Sequence, residues 1–488
     1  MKFVKKPTGI KTTNKEGGES FKLPAIKKLT QIVPTLLMFE PKYYGDVTKV
    51  LNTTIDNVAK TDPEFILKLA GYTRNNMYLR TVSMYLLAKA ASIPNCKPYV
   101  RKWAPTIIGR ADELYEAISC HRSMFSERKN DKTRSDKKLK LPNSLKKGIA
   151  DSFTKFDEYQ FAKYNRKVDV TLKDVILLTH PSKPSKLIKK ILDNKLKIPY
   201  TWETELSAKR NTQAVWEKLI DSGKLPYMAM IRNINNMDKA GIDNVHWTKV
   251  MDKISNPELV KKSRQLPFRF YSVIKNTTVS DPFKHRELQH ALNKALNVSV
   301  ENLTKLPGRT FAVADTSGSM RCGISGRSKM SPLEIASLMT AMTNKFSDNA
   351  ISGVFGTSLK VIPSLSRDIL KDTETIAQTN VGWSTNGYLT LKYLNDQHID
   401  CDRVIIYTDE ELYGGSISCE LTKYKKINPN IKVYIVNLSG YGDSCVSPHN
   451  KNAITISGWS EKILEFISLH EKGGQSFVNM IEEYSPKY

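Results

Sequence analysis

Between about residues 60 and 300, apolar residues recur at spacings of three and four, the period of a helix with one buried face. Pro63-Glu-Phe-Ile-Leu-Lys-Leu-Ala-Gly-Tyr72 and Tyr78-Leu-Arg-Thr-Val-Ser-Met-Tyr-Leu-Leu-Ala-Lys-Ala90 form one antiparallel candidate pair, joined through Arg74-Asn-Asn76. Further segments with this pattern fall at about 97–120, 143–165, 171–195, 204–222, 225–237, 245–252, 257–277 and 283–297, mostly broken by Pro or Asn. Strand signals are scarce in this half. After residue 305 the pattern changes to short apolar runs, Phe311-Ala-Val-Ala314 and Val404-Ile-Ile-Tyr407, each ending in a polar loop. Such runs suit a parallel sheet buried on both faces, and the intervening amphipathic stretch Pro332–Met342 suits a helix that covers it.

The pattern predicts a multidomain chain. A polar, Lys/Gly-rich flexible basic arm is expected over residues 1–25. An all-α, HEAT-repeat-like solenoid follows over 26–305, and a doubly wound α/β domain over 306–488. A length of 488 residues agrees with more than one domain, and 40% hydrophobic residues supply sizeable cores. The six cysteines show neither a Cys-x-x-Cys pair nor zinc spacing, as expected of free thiols in a reducing compartment. No apolar run is long enough for a signal peptide or a membrane span. The expected location is cytoplasmic.

Charge separates the two halves further. From Arg309 to Tyr488 there are 18 Lys+Arg against 19 Asp+Glu, whereas the preceding residues carry 57 against 30. The whole excess therefore lies in the helical half, which points to a polyanion, nucleic acid first. Within it, His121–Ala150 holds a dense basic run that includes Lys137, Lys138 and Lys140. A run of this kind suits a solvated loop as well as a phosphate-contacting arm.

The α/β half carries the other candidate chemistry. Asp315, Ser317 and Ser319 stand at alternate positions after the first apolar run, with Gly318 between the two serines. Oxygen donors so spaced can converge on one hard cation, Mg²⁺ before others. The same residues also suit a plain strand-to-helix turn. Neither an aspartic-protease motif nor a haloacid-dehalogenase-type motif fits, because Ser317 occupies the position that each reserves for another residue. Val381-Gly-Trp-Ser-Thr-Asn-Gly387 adds a small-residue loop with Thr385, and the second strand ends at Asp409. Ligands of open α/β sheets gather at the carboxyl ends of strands, so all five residues are expected at one sheet edge. Asp409-Glu-Glu411 is the best remaining candidate for acid/base work, and an exposed loop after the strand is its simpler reading. The ordered set Asp315, Ser317, Ser319, Thr385, Asp409 resembles the metal-ion-dependent adhesion site of the von Willebrand factor A domain.

In the basic half, Lys163-Tyr-Asn-Arg-Lys167 precedes Thr171-Leu-Lys-Asp-Val-Ile-Leu-Leu-Thr-His-Pro-Ser-Lys183. Thr171 with Asp174 forms a capping-box signature, and His180 falls where the helix must end before Pro181. His180 suits a cap for the last carbonyls and, with basic residues on either side, an RNA contact. Tyr164 suits a helix interface better than a base platform. Together with Leu145-Lys-Lys-Gly-Ile-Ala-Asp151, Leu225-Pro-Tyr-Met-Ala-Met-Ile-Arg-Asn-Ile234 and Val260-Lys-Lys-Ser-Arg-Gln-Leu-Pro-Phe268, these segments resemble the Ro ribonucleoprotein family over roughly residues 35 to 470. In that family a ring of HEAT repeats, the TROVE module, is closed by a von Willebrand A domain.

The resemblance implies a monomeric ring that binds small non-coding Y-like RNA on its outer surface and single-stranded ends of misfolded RNA in its cavity. Lys163, Lys167 and His180 carry over as outer-surface candidates, with Arg166 and Lys183 beside them. Asn165 stands where relatives often have a basic residue. Because no catalytic constellation is evident, the expectation is a non-enzymatic scaffold for RNA quality control or processing. A protein partner, such as an exoribonuclease, would join through the metal site or be tethered by RNA. Two rival functions use the same residues: a metal-dependent adhesion module with the solenoid as its stand, and a metal-dependent nuclease or phosphatase at Asp315 and Asp409.

Overall fold

The computed structural model describes residues 10–14, 17–35, 41–126, 140–165, 168–197, 199–303, 305–323, 330–410, 412–438, 443–447, 449–458, 462–473 and 477–486. They fall into two compact units. One comprises Ala25–Tyr200 with Gln475–Tyr488, and the other Met1–Pro24 with Thr201–Gly474. Among the described residues no helix is long and apolar enough to cross a membrane.

The first unit is built from paired helices. Phe65–Asn75 packs on Arg80–Ser92 and on Lys97–Ile107, and Lys97–Ile107 packs on Asn143–Ser152. Leu69, Val100, Trp103, Leu114, Ile149, Phe161 and Val175 share one apolar core. Each Leu, Ile, Val or Phe among them contributes roughly 1.5–3 kcal/mol by leaving water. The contact between the last helix pair explains Gly148 in the Leu145–Asp151 motif: a Cβ there would lie 2.6 Å from the Ala104 Cβ.

Buried charge ties these helices together. The fully buried Glu113 carboxylate accepts from Arg74 Nε at 3.0 Å and Arg80 Nε at 2.9 Å. It also accepts from the backbone N–H of Gly109 (2.7 Å) and Arg110 (3.2 Å), donors at the start of helix Ala111–Ser126 that have no partner within the helix.

The second unit joins helices from Trp202–Lys209 to Pro282–Ser299 with a six-stranded sheet. Nine strands are described: β1 (Lys11–Thr13), β2 (Glu19–Lys22), β3 (Leu306–Asp315), β4 (Ser347–Phe355), β5 (Leu359–Ile362), β6 (Arg403–Thr408), β7 (Lys432–Asn437), β8 (Asp443–Ser444) and β9 (Ala453–Ser457). The large sheet has the order β5-β4-β3-β6-β7-β9, parallel except for β5. Phe311, Val313, Val404 and Ile406 face helices Leu389–Asp396 and Ile417–Tyr424 across one core. On the other side, the Tyr407 hydroxyl lies 2.7 Å from Thr343 Oγ1 of helix Pro332–Phe346. Covered on both faces, β3 and β6 take the continuous apolar runs read in the sequence.

The compact units group three segments in ways that the sequence pattern alone does not show. Instead of a loose arm, β1 and β2 form a hairpin that pairs with β8 in a small antiparallel sheet. Helices 202–299 fall in the same compact unit as the sheet. Asn293 and Asn297 donate to Asp368 at 2.9 and 3.1 Å, Lys345 donates to Asn297 at 2.6 Å, and Lys275 pairs with Glu334 at 3.1 Å. Finally, the segment after Gly474 belongs to the first unit. There Tyr484 stacks on Trp103 and its hydroxyl accepts from Asn75 Nδ2 at 3.0 Å.

Removing Glu113 takes the carboxylate from the largely buried Arg74, whereas Arg80 keeps Asp112 and Glu116. Glu113→Ala should cost roughly 3 kcal/mol or more. It should lower the midpoint of the first urea transition, while exposed Lys102→Ala should shift it far less.

Candidate metal centre and nucleic-acid surface

Strand register fixes the metal candidates. Ala314 pairs with Tyr407 across parallel β3 and β6, so Asp315 ends its strand beside Thr408, and Asp409 follows. Asp315 Oδ2 accepts from Thr408 Oγ1 at 2.6 Å, and Oδ1 accepts from Ser317 N at 2.9 Å. The hydroxyls of Ser317 and Ser319 lie 3.3 Å apart. The loop holding Thr385 is stitched to the first loop and to the end of β4. Gly318 N donates to Trp383 O at 3.1 Å, Ser384 N to Thr357 Oγ1 at 3.3 Å, and Asn386 N to Gly356 O at 3.1 Å. Tyr413 N donates to Thr385 O at 3.0 Å, which joins the loop after β6 to the same group. Three loops thus converge, and they carry Asp315, Ser317, Ser319, Thr385 and Asp409. Of these only Ser319 is exposed.

The electrostatics suit a cation. Asp315 is fully buried, and its carboxyl is pushed up to about 7, first by burial and then by the negative charge of Asp409. Two carboxylates and three hydroxyls form an all-oxygen donor set, the preference of Mg²⁺ rather than of a soft metal. A divalent ion would supply counter-charge to the buried Asp315 carboxyl. The residues fit such an ion.

Sequence reading missed two supports of the site. Thr408 holds Asp315, and its position directly before Asp409 was the available signal. Glu410 is buried, contrary to the exposed loop expected there. Asn437 Nδ2 donates to it at 2.8 Å and Thr455 Oγ1 at 3.1 Å, and burial raises its carboxyl to about 8. Glu411 lies outside the described residues.

The basic candidates are placed less completely. Lys137, Lys138, Arg166 and Lys167 lie outside the described residues, while Lys140 and Lys183 are exposed. The helix carrying Lys163 ends at Tyr164, short of position 167. Lys163 Nζ lies 5.7 Å from the Tyr164 ring, and the Arg110 guanidinium covers that ring at 4.4 Å. Tyr164 is therefore an interface residue, as its sequence context favours.

The capping box of Thr171 and Asp174 is present, with Asp174 N donating to Thr171 Oγ1 at 3.3 Å and Thr171 N to Asp174 Oδ2 at 2.8 Å. His180 caps the other end through its backbone, with φ 50° and its N–H donating to Ile176 O at 2.9 Å. Its side chain is exposed and makes no hydrogen bond among the described residues. The imidazole is not the cap.

Paired helices joined to a doubly wound sheet, with oxygen donors gathered at the carboxyl ends of its strands, define a helical-repeat protein with a von Willebrand factor A domain. The TROVE domain profile matches residues 39–194 and 192–281, and the Ro60 vWA domain profile matches 309–470. The chain belongs to the Ro/TROVE family.

It is similar to telomerase protein component 1 of Mus musculus and of Rattus norvegicus, 25% identical in each case over 85% of this chain. The chain spans 22% of the length of these relatives. Its fold is similar to that of the Ro (RSR) protein of Deinococcus radiodurans, with a TM-score of 0.62 and 16% identity over 91% of this chain and 99% of that one. Family membership implies an RNA-binding ribonucleoprotein component, and A domains often hold a divalent metal at this edge.

The raised Asp315 carboxyl has a definite sign. Folded, cation-free protein binds that proton more tightly than the unfolded chain. Stability from this group is full below the ordinary value of 3.8 and is lost as pH rises toward about 7. Asp315→Asn should therefore melt increasingly above wild type in chelator as pH rises through that window. Calorimetry should show that the variant no longer takes up Mg²⁺.

Proposed function

We propose that this protein is a non-enzymatic RNA-binding scaffold of a small ribonucleoprotein. Its basic helical half takes small structured non-coding RNA of the Y type on a surface that includes Lys163, Lys167, His180 and Lys183. Arg166, Lys137, Lys138 and Lys140 are further candidates for RNA contact by their sequence context. Single-stranded ends of misfolded RNA are the second ligand class, and the two together serve RNA quality control or processing. The observation that carries this reading is the charge split: 57 basic against 30 acidic residues before Arg309, and near neutrality after it. Lys and Arg supply affinity through counterion release, while unstacked bases supply choice among RNAs.

At the A domain, Asp315, Ser317, Ser319, Thr385 and Asp409 hold one divalent cation, Mg²⁺ by preference. A second use of this face, docking a protein partner, is favoured by two exposed aromatic residues on its loops. Trp383, with Arg321 5.1 Å from its ring, is 66% exposed, and Tyr413 is 52% exposed. No turnover of RNA or phosphoesters is expected. Cleavage by pure protein that requires Mg²⁺ and is lost in Asp315→Ala would overturn that part.

RNA affinity should fall steeply with salt, with a log–log slope of roughly −0.7 per phosphate contact for single strands. Lys163→Ala with Lys183→Ala should make the slope shallower. A flat salt response in filter binding would remove the electrostatic basis of the proposal.

The left-handed backbone at His180 provides a cleaner substitution than a polar one. Glycine adopts this conformation without strain, so His180→Gly should keep or raise the melting temperature. If the imidazole touches RNA, affinity should drop roughly three- to tenfold, the equivalent of one lost hydrogen bond. Unchanged affinity would take His180 off the surface.

A further inference from the structure

The turn between β1 and β2 sits on the loop that carries Asp409. Asn14 uses both ends of its amide. Oδ1 accepts from Gly18 N at 2.7 Å and closes the turn, while Nδ2 donates to Leu412 O at 2.8 Å and to Glu410 O at 3.5 Å. A Cβ on Gly18 would overlap the Leu412 carbonyl oxygen, so a glycine is required for the turn to come this close. The rest of the hairpin is fastened to nearby segments of the same domain. Phe21 pairs with Ser444, Ser20 Oγ donates to Ser444 O at 3.3 Å, and Ser416 Oγ donates to Glu19 at 3.2 Å.

The stretch held in this way needs holding. Glu410 has φ +65°, a left-handed conformation uncommon for a residue with a side chain. It directly follows Asp409. At the other end of the stretch, Leu412 directly precedes Tyr413, whose N–H donates to Thr385 O. The two carbonyls that Asn14 holds therefore adjoin one candidate ligand in sequence, and the other candidate through a single hydrogen bond.

We propose that the N-terminal hairpin is a latch on the cation site. Asn14 is its positioning residue, acting through the loop backbone to set how Asp409 and Thr385 meet a divalent ion. The proposal rests on reading Asp315, Ser317, Ser319, Thr385 and Asp409 as that site. The chemistry calls for an amide. Aspartate at position 14 would keep the acceptor for Gly18 but would replace the donor with an anion facing two carbonyl oxygens. Alanine would remove the donor without adding charge.

The test is Mn²⁺ binding to the full chain by calorimetry, with melting temperatures measured in chelator and in Mn²⁺. Asn14→Ala should bind Mn²⁺ roughly three- to tenfold more weakly than wild type, and Asn14→Asp more weakly still. The rise in melting temperature on adding Mn²⁺ should shrink in both. Lys11→Ala, which removes only the surface pair with Glu19, should leave the affinity unchanged. If the hairpin is merely structural, the Asn14 variants will melt lower by equal amounts with and without Mn²⁺ and keep wild-type affinity, which overturns the latch alone. Wild-type protein that takes up no Mn²⁺ overturns the metal-site reading and the latch with it. Should Asn14→Asp fail to fold, Asn14→Ala carries the test.

Discussion

Asp315 and Asp409 leave adjacent parallel strands at the carboxyl edge of the sheet, both nearly closed to water, and the charge of Asp409 opposes ionisation of Asp315. Buried like charges of this kind are tolerated only with a proton, a counter-ion or dense hydrogen bonding. The surrounding residues supply the last. Thr408 Oγ1 and Ser317 N each donate to Asp315, and Asn437 and Thr455 donate to the neighbouring Glu410. Each donor comes from a strand end or from a loop that a strand directs. The β3–β6 register thus sets the electrostatics of the whole edge. A shift of one residue would put Thr408 out of reach and turn the Asp315 side chain to the other face.

The two halves hold their elements together in different ways. In the helical unit, one fully buried carboxylate, Glu113, collects two arginines and the N–H groups that precede a helix. In the sheet-bearing unit, neutral asparagines do comparable work, as Asn297 receives Lys345 and donates to Asp368. Both arrangements satisfy buried polar groups that would otherwise weaken an interface.

The main elements were legible because their signals are local. The Phe311–Ala314 and Val404–Tyr407 runs read as buried strands, and the Asp315, Ser317, Ser319 spacing pointed to their carboxyl edge. The capping box at Thr171 was visible within four residues. What escaped was non-local. The hairpin strands are short and polar, and their partner Ser444 lies hundreds of residues on, so nothing near Lys11 or Glu19 announces a sheet. Asn293 and Asn297 look like ordinary helix-surface residues until Asp368 is brought beside them. Glu410 looks like a loop acid because its partners, Asn437 and Thr455, sit on later strands. His180 was read for its side chain, whereas its backbone forms the cap.

The same non-local pairing constrains how the molecule assembles. The hairpin that grips the Asp409 loop does so across 398 positions, from Asn14 to Leu412. Tyr484 reaches back 409 positions to Asn75 in the first helical unit. Each compact unit is therefore completed by a segment from the far end of the chain and cannot close its last contacts while that segment is missing. Contacts of such separation form late, because the chain between their ends must be ordered first. Local helix pairs such as Phe65–Asn75 with Arg80–Ser92 carry no such requirement.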